Sequence, residues 1–378
     1  MRGQRPDGRP GLSGLIASGG AGLGDAGSGR ARPTGTAPRP GRGRAVRRRM
    51  VRRRSAWLCA LALAAVTASA CSAGTDMVGA QPPAPTVGFG SVAPSTSSTG
   101  GSGGASTAPT CDATASSLAP TAAAANGPDV TAIKNQGYIR VGVSADQYLT
   151  GYLNSAGHEE GFDIDLADAL GQALFGTPKK VQFVALSTAD RIPDLRASAA
   201  TRKVDVVIDT MTINCARLLQ VGFSAVYYTA SQKLLVDKKP DGTPSYTSIA
   251  QLAGKKVCAQ SGSTSIAAIQ AAKATAMEVT NVTDCLVLLQ ENTVQAISTD
   301  DTLLAGLAKQ DPNVTVVGVG LEPEPYGIAV PPNEKDLEEY INGVLAQYES
   351  DGGWAASYAK WFGPSLGPAQ PPAAQYSD

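Results

Sequence analysis

The stretch DTMTINCARLLQVGFS, residues 209–224, gathers Thr212, Asn214, Cys215 and Arg217 between an apolar strand end and a return to apolar residues. Arginine carries a planar guanidinium that stays charged and can make two parallel hydrogen bonds to one carboxylate. Thr212 adds a hydroxyl and a backbone N–H. The chemistry on offer is capture of a carboxylate by a loop at the end of a strand. A second stretch, QSGSTSIAAI, has the make-up of a helix start: Ser and Thr to cap, Gly for a close approach, then an apolar period. Unpaired N–H groups at such a start attract anions.

Such loops need a frame, and from Gln136 strands and helices alternate. YIRVGVS reads as a strand, and GFDIDLADALGQALFG as a helix with Ile164, Leu166, Ala167, Leu170 and Leu174 near one face. VQFVAL is a strand, TADRIPDLRASAAT a helix, and VDVVID a strand that ends at the first loop. This βαβαβ order implies a mostly parallel sheet covered on both faces. Ligands then sit beyond the carboxyl ends of the strands, which points to the loops after Val143 and Asp209. TASQKLLVDKKPDG reads as a strand and polar turn leading out of this unit. KKVCAQ, TSIAAIQAAKA, MEVTNV, TDCLVLLQEN, QAIST, DTLLAGLAKQ and VTVVGV repeat the alternation, PYGIAVP returns as a strand, and KDLEEYINGVLAQYESDG and WAASYAKWFG close as helices. The expected fold is α/β: two lobes joined by a two-crossing hinge over a cleft. Lobe 1 takes residues 128–236 and 325–363, lobe 2 takes 237–324, and the Pro-rich residues 364–378 form a loose tail.

A net charge of zero hides segregation. Residues 1–54 hold 14 Arg and 2 Asp, leaving 18 basic and 30 acidic groups in the rest. Residues 50–70 read as a signal peptide: a positive start at MVRRR, an apolar run from Ala56 to Val66, and Ala68, Ser69 and Ala70 before Cys71. The run is too short to span a bilayer, which takes ~20 apolar residues. Cys71 resembles the lipidated Cys of a lipoprotein box, with Ala68 in place of the more usual Leu; the alternative is an ordinary secretory cleavage. Residues 1–49 have no apolar period and read as disordered or as a mis-called start, since Met50 opens a complete signal peptide. Their rival role, a basic arm on nucleic acid, conflicts with export. Residues 71–127, rich in Ser, Thr, Gly, Ala and Pro, read as a flexible tether. The expectation is an extracytoplasmic domain, lipid-anchored to the cell membrane. Four cysteines beyond Cys71 then imply two disulfides with three possible connectivities. The pairing preferred is Cys258 with Cys285 inside one lobe, and Cys111 with Cys215, which fixes the tether's end beside the first loop.

The order VGVS, GFDIDLADAL, TADRIPDL, VDVVIDTMTINCAR, VGFSAVYY, KVCAQSGSTS, AISTDD and EPYGIAVP resembles the polar amino-acid-binding extracytoplasmic proteins of ABC importers, solute-binding family 3, over roughly residues 130–363. The branch it resembles takes glutamine, glutamate and aspartate. The family loop is similar to T-I-T-P-E-R; here Asn214 and Cys215 replace Thr-Pro, while Thr212 and Arg217 keep their places. The resemblance implies a periplasmic-binding-protein-like fold that closes around an amino acid and delivers it to an ABC permease or presents it to a transmembrane sensor. It implies Arg217 and Thr212 on the α-carboxylate, met from lobe 2 by Ser263 and Thr264. It implies Asp300 on the α-ammonium, with the neighbouring Asp301 as the other choice, and Tyr148 as an aromatic wall over the ligand stem. Ser144 stands where many relatives carry Asp. Arg191 matches an Arg of relatives that take acidic amino acids, which favours glutamate or aspartate slightly over glutamine; the alternative is a solvated helix-start charge. A few relatives of this fold are dehydratases of prephenate-like acids, the alternative function.

Other residues carry less. The single His, His158, lies in the polar loop SAGHEEG, so neither a histidine metal site nor an assembled Ser-His-Asp triad is expected, and no metal or cofactor is expected. Asp163 reads as a helix cap, Asp165 and Asp168 as a solvated face, and Trp354 and Trp361 as packing. The expected species is a monomer.

Overall fold

The computed structural model describes residues 111–377. The stretch read as a signal peptide, Cys71 and most of the segment read as a tether lie outside the described residues.

The chain begins with β1 (Ser117–Leu118), α1 (Pro128–Gln136) and β2 (Ile139–Val143). A three-stranded sheet of β3 (Asp146–Gln147), β4 (Gly151–Leu153) and β5 (Glu159–Glu160) precedes α2 (Phe162–Phe175). Then come β6 (Val181–Ala185), α3 (Arg191–Leu195), β7 (Val206–Val207), α4 (Cys215–Leu218) and β8 (Gly222–Phe223). β9 (Tyr228–Asp237) leads into β10 (Lys256–Gln260), α5 (Ser265–Ala271), β11 (Thr275–Val279), α6 (Val282–Gln290), β12 (Ala296–Asp300), α7 (Asp301–Gln310) and β13 (Val314–Val317). β14 (Pro323–Tyr326) leads back to β15 (Ala329–Val330), α8 (Lys335–Ser350), α9 (Gly353–Trp361), α10 (Gly363–Leu366) and β16 (Tyr376–Ser377).

Two five-stranded paths result. In lobe 1 the order is β6-β2-β7-β15-β8, with β2 parallel to β6 and β7 and β15 antiparallel to its neighbours. In lobe 2 the order is β11-β10-β12-β9-β13, with β10 parallel to β11 and β12 and β9 antiparallel to β12 and β13. The parallel strands are those of the βαβ units; the antiparallel ones belong to the crossings and to the stretches on either side of them. Apolar residues cover both faces of each sheet. The α2 face of Ile164, Leu166, Ala167, Leu170 and Leu174 packs into one lobe 1 cluster, Leu195, Val204, Val207 and Phe223 form another, and lobe 2 has two clusters of its own. Burial of this kind contributes about 25 cal/mol per Å² and fixes the sheets that carry the loops. Trp354 stacks on Tyr358 at 5.0 Å within this packing.

Four expectations need correction. The outward crossing comes earlier than residue 237: β9 pairs with β12 from Gln232 to Leu235, so it belongs to the lobe 2 sheet. The helix expected over TADRIPDLRASAAT shrinks to Arg191–Leu195, because the Asp194 carboxylate accepts the N–H groups of Lys203 and Val204 and holds the following chain in a loop. The tether is not free up to residue 127. Cys111 is bonded to Cys215, and Leu118 donates its N–H to Glu338 at 2.8 Å while Asn342 donates to the Leu118 carbonyl. The tail is not loose either, since β16 pairs in parallel with β1 and Tyr358 donates its hydroxyl to the Gly367 carbonyl at 2.9 Å. Polar, Pro-rich composition signals neither a disulfide nor a two-residue strand, which is why both segments read as coil. Cys258 and Cys285 are bonded as preferred, joining β10 to α6.

Candidate functional site

The ends of β7, β10 and β12 and the loop before α3 converge on one polar cavity of about 20 Å³. Its wall holds Thr188 and Arg191 from that loop and helix, Thr210, Thr212 and Arg217 from the loop after β7, Gln260 and Ser263 to Ser265 from the end of β10 and start of α5, and Thr299, Asp300 and Leu303 from β12 and α7. Ligand-facing loops at strand carboxyl ends are the rule for such sheets. A larger cavity of about 510 Å³ lies on lobe 1 between α2 and α8, but alanines and tyrosines make up much of its wall and no buried cation faces it.

Asn214 caps α4 by accepting the Arg217 N–H at 3.0 Å, which sets the Arg217 side chain at a fixed point of a four-residue helix. Arg217 is 7% exposed, and its guanidinium donates to the Thr212 carbonyl at 2.7 Å and crosses the cleft to the Gly262 carbonyl at 3.2 Å. Two of its five N–H groups are thereby used, and among the described residues no carboxylate forms an ion pair with it. Burial, then the neighbouring Arg191 charge, push its pKa down to about 10, which still leaves it a cation at neutral pH. Opposite it, Ser263 Oγ, Ser265 Oγ and Asp300 Oδ1 are buried without a hydrogen-bond partner. Buried polar atoms of this kind are otherwise nearly always paired. Asp300 Oδ2 accepts the Tyr326 hydroxyl at 2.7 Å, and burial followed by the Glu324 charge raises its pKa to about 8.

Arg191 is neither solvated nor free. It is 4% exposed, donates to the carbonyls of Thr188 and Asp209, and lies 3.6 Å from the Asp209 carboxylate. Asp163 is no helix cap: Gly161 takes that place, and the buried Asp163 carboxylate accepts the Thr210 N–H at 2.8 Å and the Tyr227 hydroxyl at 2.9 Å. It therefore braces the loop that leads to Thr212 from beneath. Tyr148 is not brought to the cavity; its ring meets Tyr152 edge-on at 4.8 Å, because the hairpin of β3 and β4 offers it an aromatic partner. Of the two acids where β12 meets α7, Asp300 faces the cavity and Asp301 forms an ion pair with Lys233 at 3.2 Å.

The lobes touch at glycines. A Cβ on Gly306 of α7 would lie 2.1 Å from the Tyr148 carbonyl oxygen, and one on Gly262, whose φ is +78°, would lie 3.0 Å from the Ala189 Cα. Asp146 of β3 accepts the N–H and hydroxyl of Thr283 in α6 at 3.2 and 3.1 Å. Sequence reasoning missed Gln260, Ser265 and Thr299 on the wall, and Glu324 behind it; Ser265 and Thr299 stand next to residues it did single out.

Residues 139–364 match the model of the bacterial extracellular solute-binding proteins, family 3. The chain is 37% identical over 235 residues to the ABC transporter glutamine-binding protein GlnH of Bacillus subtilis (strain 168), covering 61% of this chain and 84% of the relative. It is similar to a solved ancestral arginine-binding protein bound to glutamine, at 37% identity and a TM-score of 0.55, covering 60% of this chain and 98% of that one. It is similar too to a solved ancestral amino acid-binding protein described as a precursor of cyclohexadienyl dehydratase, at 33% identity and a TM-score of 0.55, covering 62% of this chain and 99% of the other. With both lobes inside the matched residues and the polar cavity lined from each of them, the chain belongs to family 3 of the bacterial extracellular solute-binding proteins.

Proposed function

We propose that this protein binds a polar amino acid, glutamate, aspartate or glutamine, between its lobes and hands it to a membrane partner. The observation that carries this is the juxtaposition of a buried Arg217, which forms no ion pair among the described residues, with Asp300 Oδ1, Ser263 Oγ and Ser265 Oγ, which have no hydrogen-bond partner among them. A zwitterion supplies what both ends lack. Its carboxylate takes the spare Arg217 N–H groups together with Thr212, Ser263 and Thr264, and its ammonium takes Asp300. Its side chain runs toward Arg191 and the polar residues around it. Since Asp209 already meets part of the Arg191 charge, an acidic side chain would gain less there than from a free guanidinium. The names of the relatives support the amino-acid class.

The family is extracellular, and the protein acts outside the cytoplasm. Among the described residues no helix is long and apolar enough to cross a membrane. We place the domain at the membrane's outer face as a monomer held by a lipid on Cys71, serving an ABC permease or a transmembrane sensor. A dehydratase would need a group poised near neutral pH, and Asp300 at about 8 has such a pKa. We assign that poise to burial at an ammonium site, and expect no product from prephenate.

A thermal-shift screen over the twenty amino acids tests the reading. A ligand at a hundredfold excess over its Kd adds about 2.7 kcal/mol and raises Tm by several degrees. No shift with any amino acid would sink the proposal.

A further inference from the structure

Glu324 lies on β14, one of the two strands that cross between the lobes, and is 4% exposed. Its Oε2 accepts the hydroxyl of Thr264 from lobe 2 at 3.1 Å, and Thr212 of lobe 1 stands beside the same carboxylate. Among the described residues it forms no ion pair. A threonine hydroxyl has one proton to give. Given to Glu324, it leaves only lone pairs toward the cavity, and a ligand carboxylate, which also only accepts, gains nothing from it. Loading therefore needs the Thr264 proton turned to the ligand, which strips an ionised, buried Glu324 of its donor, a costly arrangement.

The charges facing this region decide what relieves it. Arg191 is matched by Asp209 and Asp301 by Lys233, and Glu322 on the same segment is exposed. Tyr326 gives its hydroxyl to Asp300. Two cations, Arg191 and Arg217, then face four buried carboxyl groups, Asp163, Asp209, Asp300 and Glu324, and neutrality leaves two protons on the four acids. Burial and the Glu324 charge raise Asp300 to about 8, against about 7 for Asp163 and Asp209, so in the free protein near pH 7 one of those protons sits on Asp300. Glutamine, a neutral zwitterion, adds no net charge, but its ammonium needs Asp300 as an acceptor.

Resting on the amino-acid reading above, we infer that Glu324 is the proton acceptor of loading, a positioning residue that acts through Thr264. As the amino acid enters, Asp300 gives up one proton, Glu324 takes one up, and the Thr264 hydroxyl turns from Glu324 to the ligand carboxylate. One O–H is lost and one is gained, with no net exchange with solvent.

Calorimetric titration of the whole protein with L-glutamine, which carries no net charge, in two buffers of different ionisation heat near pH 7, counts the protons exchanged. Wild type should exchange close to none. The E324Q variant should release up to one, because burial alone still raises Asp300 and the acceptor is gone. Its affinity should then strengthen with pH by up to about tenfold per unit while wild type stays flat. Equal proton counts and parallel pH profiles overturn the inference. Should E324Q not fold, infrared difference spectra of wild type decide. A protonated-carboxyl stretch that persists and shifts on loading is expected, and its disappearance overturns the inference. Failure of every amino acid to bind, a separate result, overturns the amino-acid reading and this inference with it.

Discussion

Replacing Arg217 with alanine removes the cation around which the cavity is arranged. The guanidinium spends two N–H groups on the carbonyls of Thr212 and Gly262, so three remain for a ligand. Two of these can pair in parallel with one carboxylate, and each charge-assisted bond contributes about 1.5–3 kcal/mol net. The pair then contributes about 3–6 kcal/mol, close to the ~3–5 kcal/mol seen when one partner of a buried ion pair is removed. At ~1.4 kcal/mol per decade this is about two to four decades in Kd. Isothermal titration of R217A with the amino acid found in the thermal-shift screen should show that loss. R217K keeps the charge without the planar fork and should lose about one to two decades. Arg217 also joins the lobes through Gly262, so denaturant unfolding of each variant must accompany the titration. A folded R217A that binds within about fivefold of wild type refutes the assignment of the carboxylate end.

Three further outcomes are expected. The G306A variant adds a Cβ 2.1 Å from the Tyr148 carbonyl oxygen; overpacking costs about 1–3 kcal/mol, and because the clash arises only when the lobes meet, affinity should fall by about one to two decades with the unfolding midpoint nearly unchanged. Equal losses of affinity and stability would place the clash inside a lobe instead. Removing the Cys258–Cys285 bond, which closes a separation of 27 residues, with paired serines should cost about 3–4 kcal/mol in urea unfolding, and a loss below about 1 kcal/mol contradicts it. Asp300 titrates near 8 when folded and near 3.9 when unfolded. The ligand-free native state thus binds more protons than the unfolded chain between those values, so stability falls as pH rises through the window. D300N should flatten that fall by up to about 1.4 kcal/mol per pH unit, and an unchanged slope means another group carries it.

The βαβ alternation was legible because apolar runs and helix periods mark buried strands and amphipathic helices without reference to the rest of the chain. That Arg217 and Thr212 stand at a strand end was legible because polar residues directly after apolar strands sit there, while Ser263, Thr264 and Asp300 were singled out through the family resemblance; the structure lines one cavity with all five. Glu324 and Asp163 were not. Each looks like an ordinary surface acid in sequence, one in a Pro-rich crossing strand and one in a helix start with two more acids. Only the packing of the other lobe or of Tyr227 makes them buried. Tyr148 shows the converse error, since an aromatic beside a site loop has no local mark that says whether it faces the ligand or a neighbouring ring. β1 and β16 owe their pairing to a disulfide and to the Glu338 and Asn342 side chains of α8, partners more than two hundred residues from β1.

A crystal structure of the protein grown with glutamate or glutamine tests the central claim most directly. The α-carboxylate should lie within hydrogen-bond distance of Arg217, and the ammonium within the same distance of Asp300 Oδ1. An amino acid seated elsewhere, with the Arg217 guanidinium still serving only the carbonyls of Thr212 and Gly262, would contradict it.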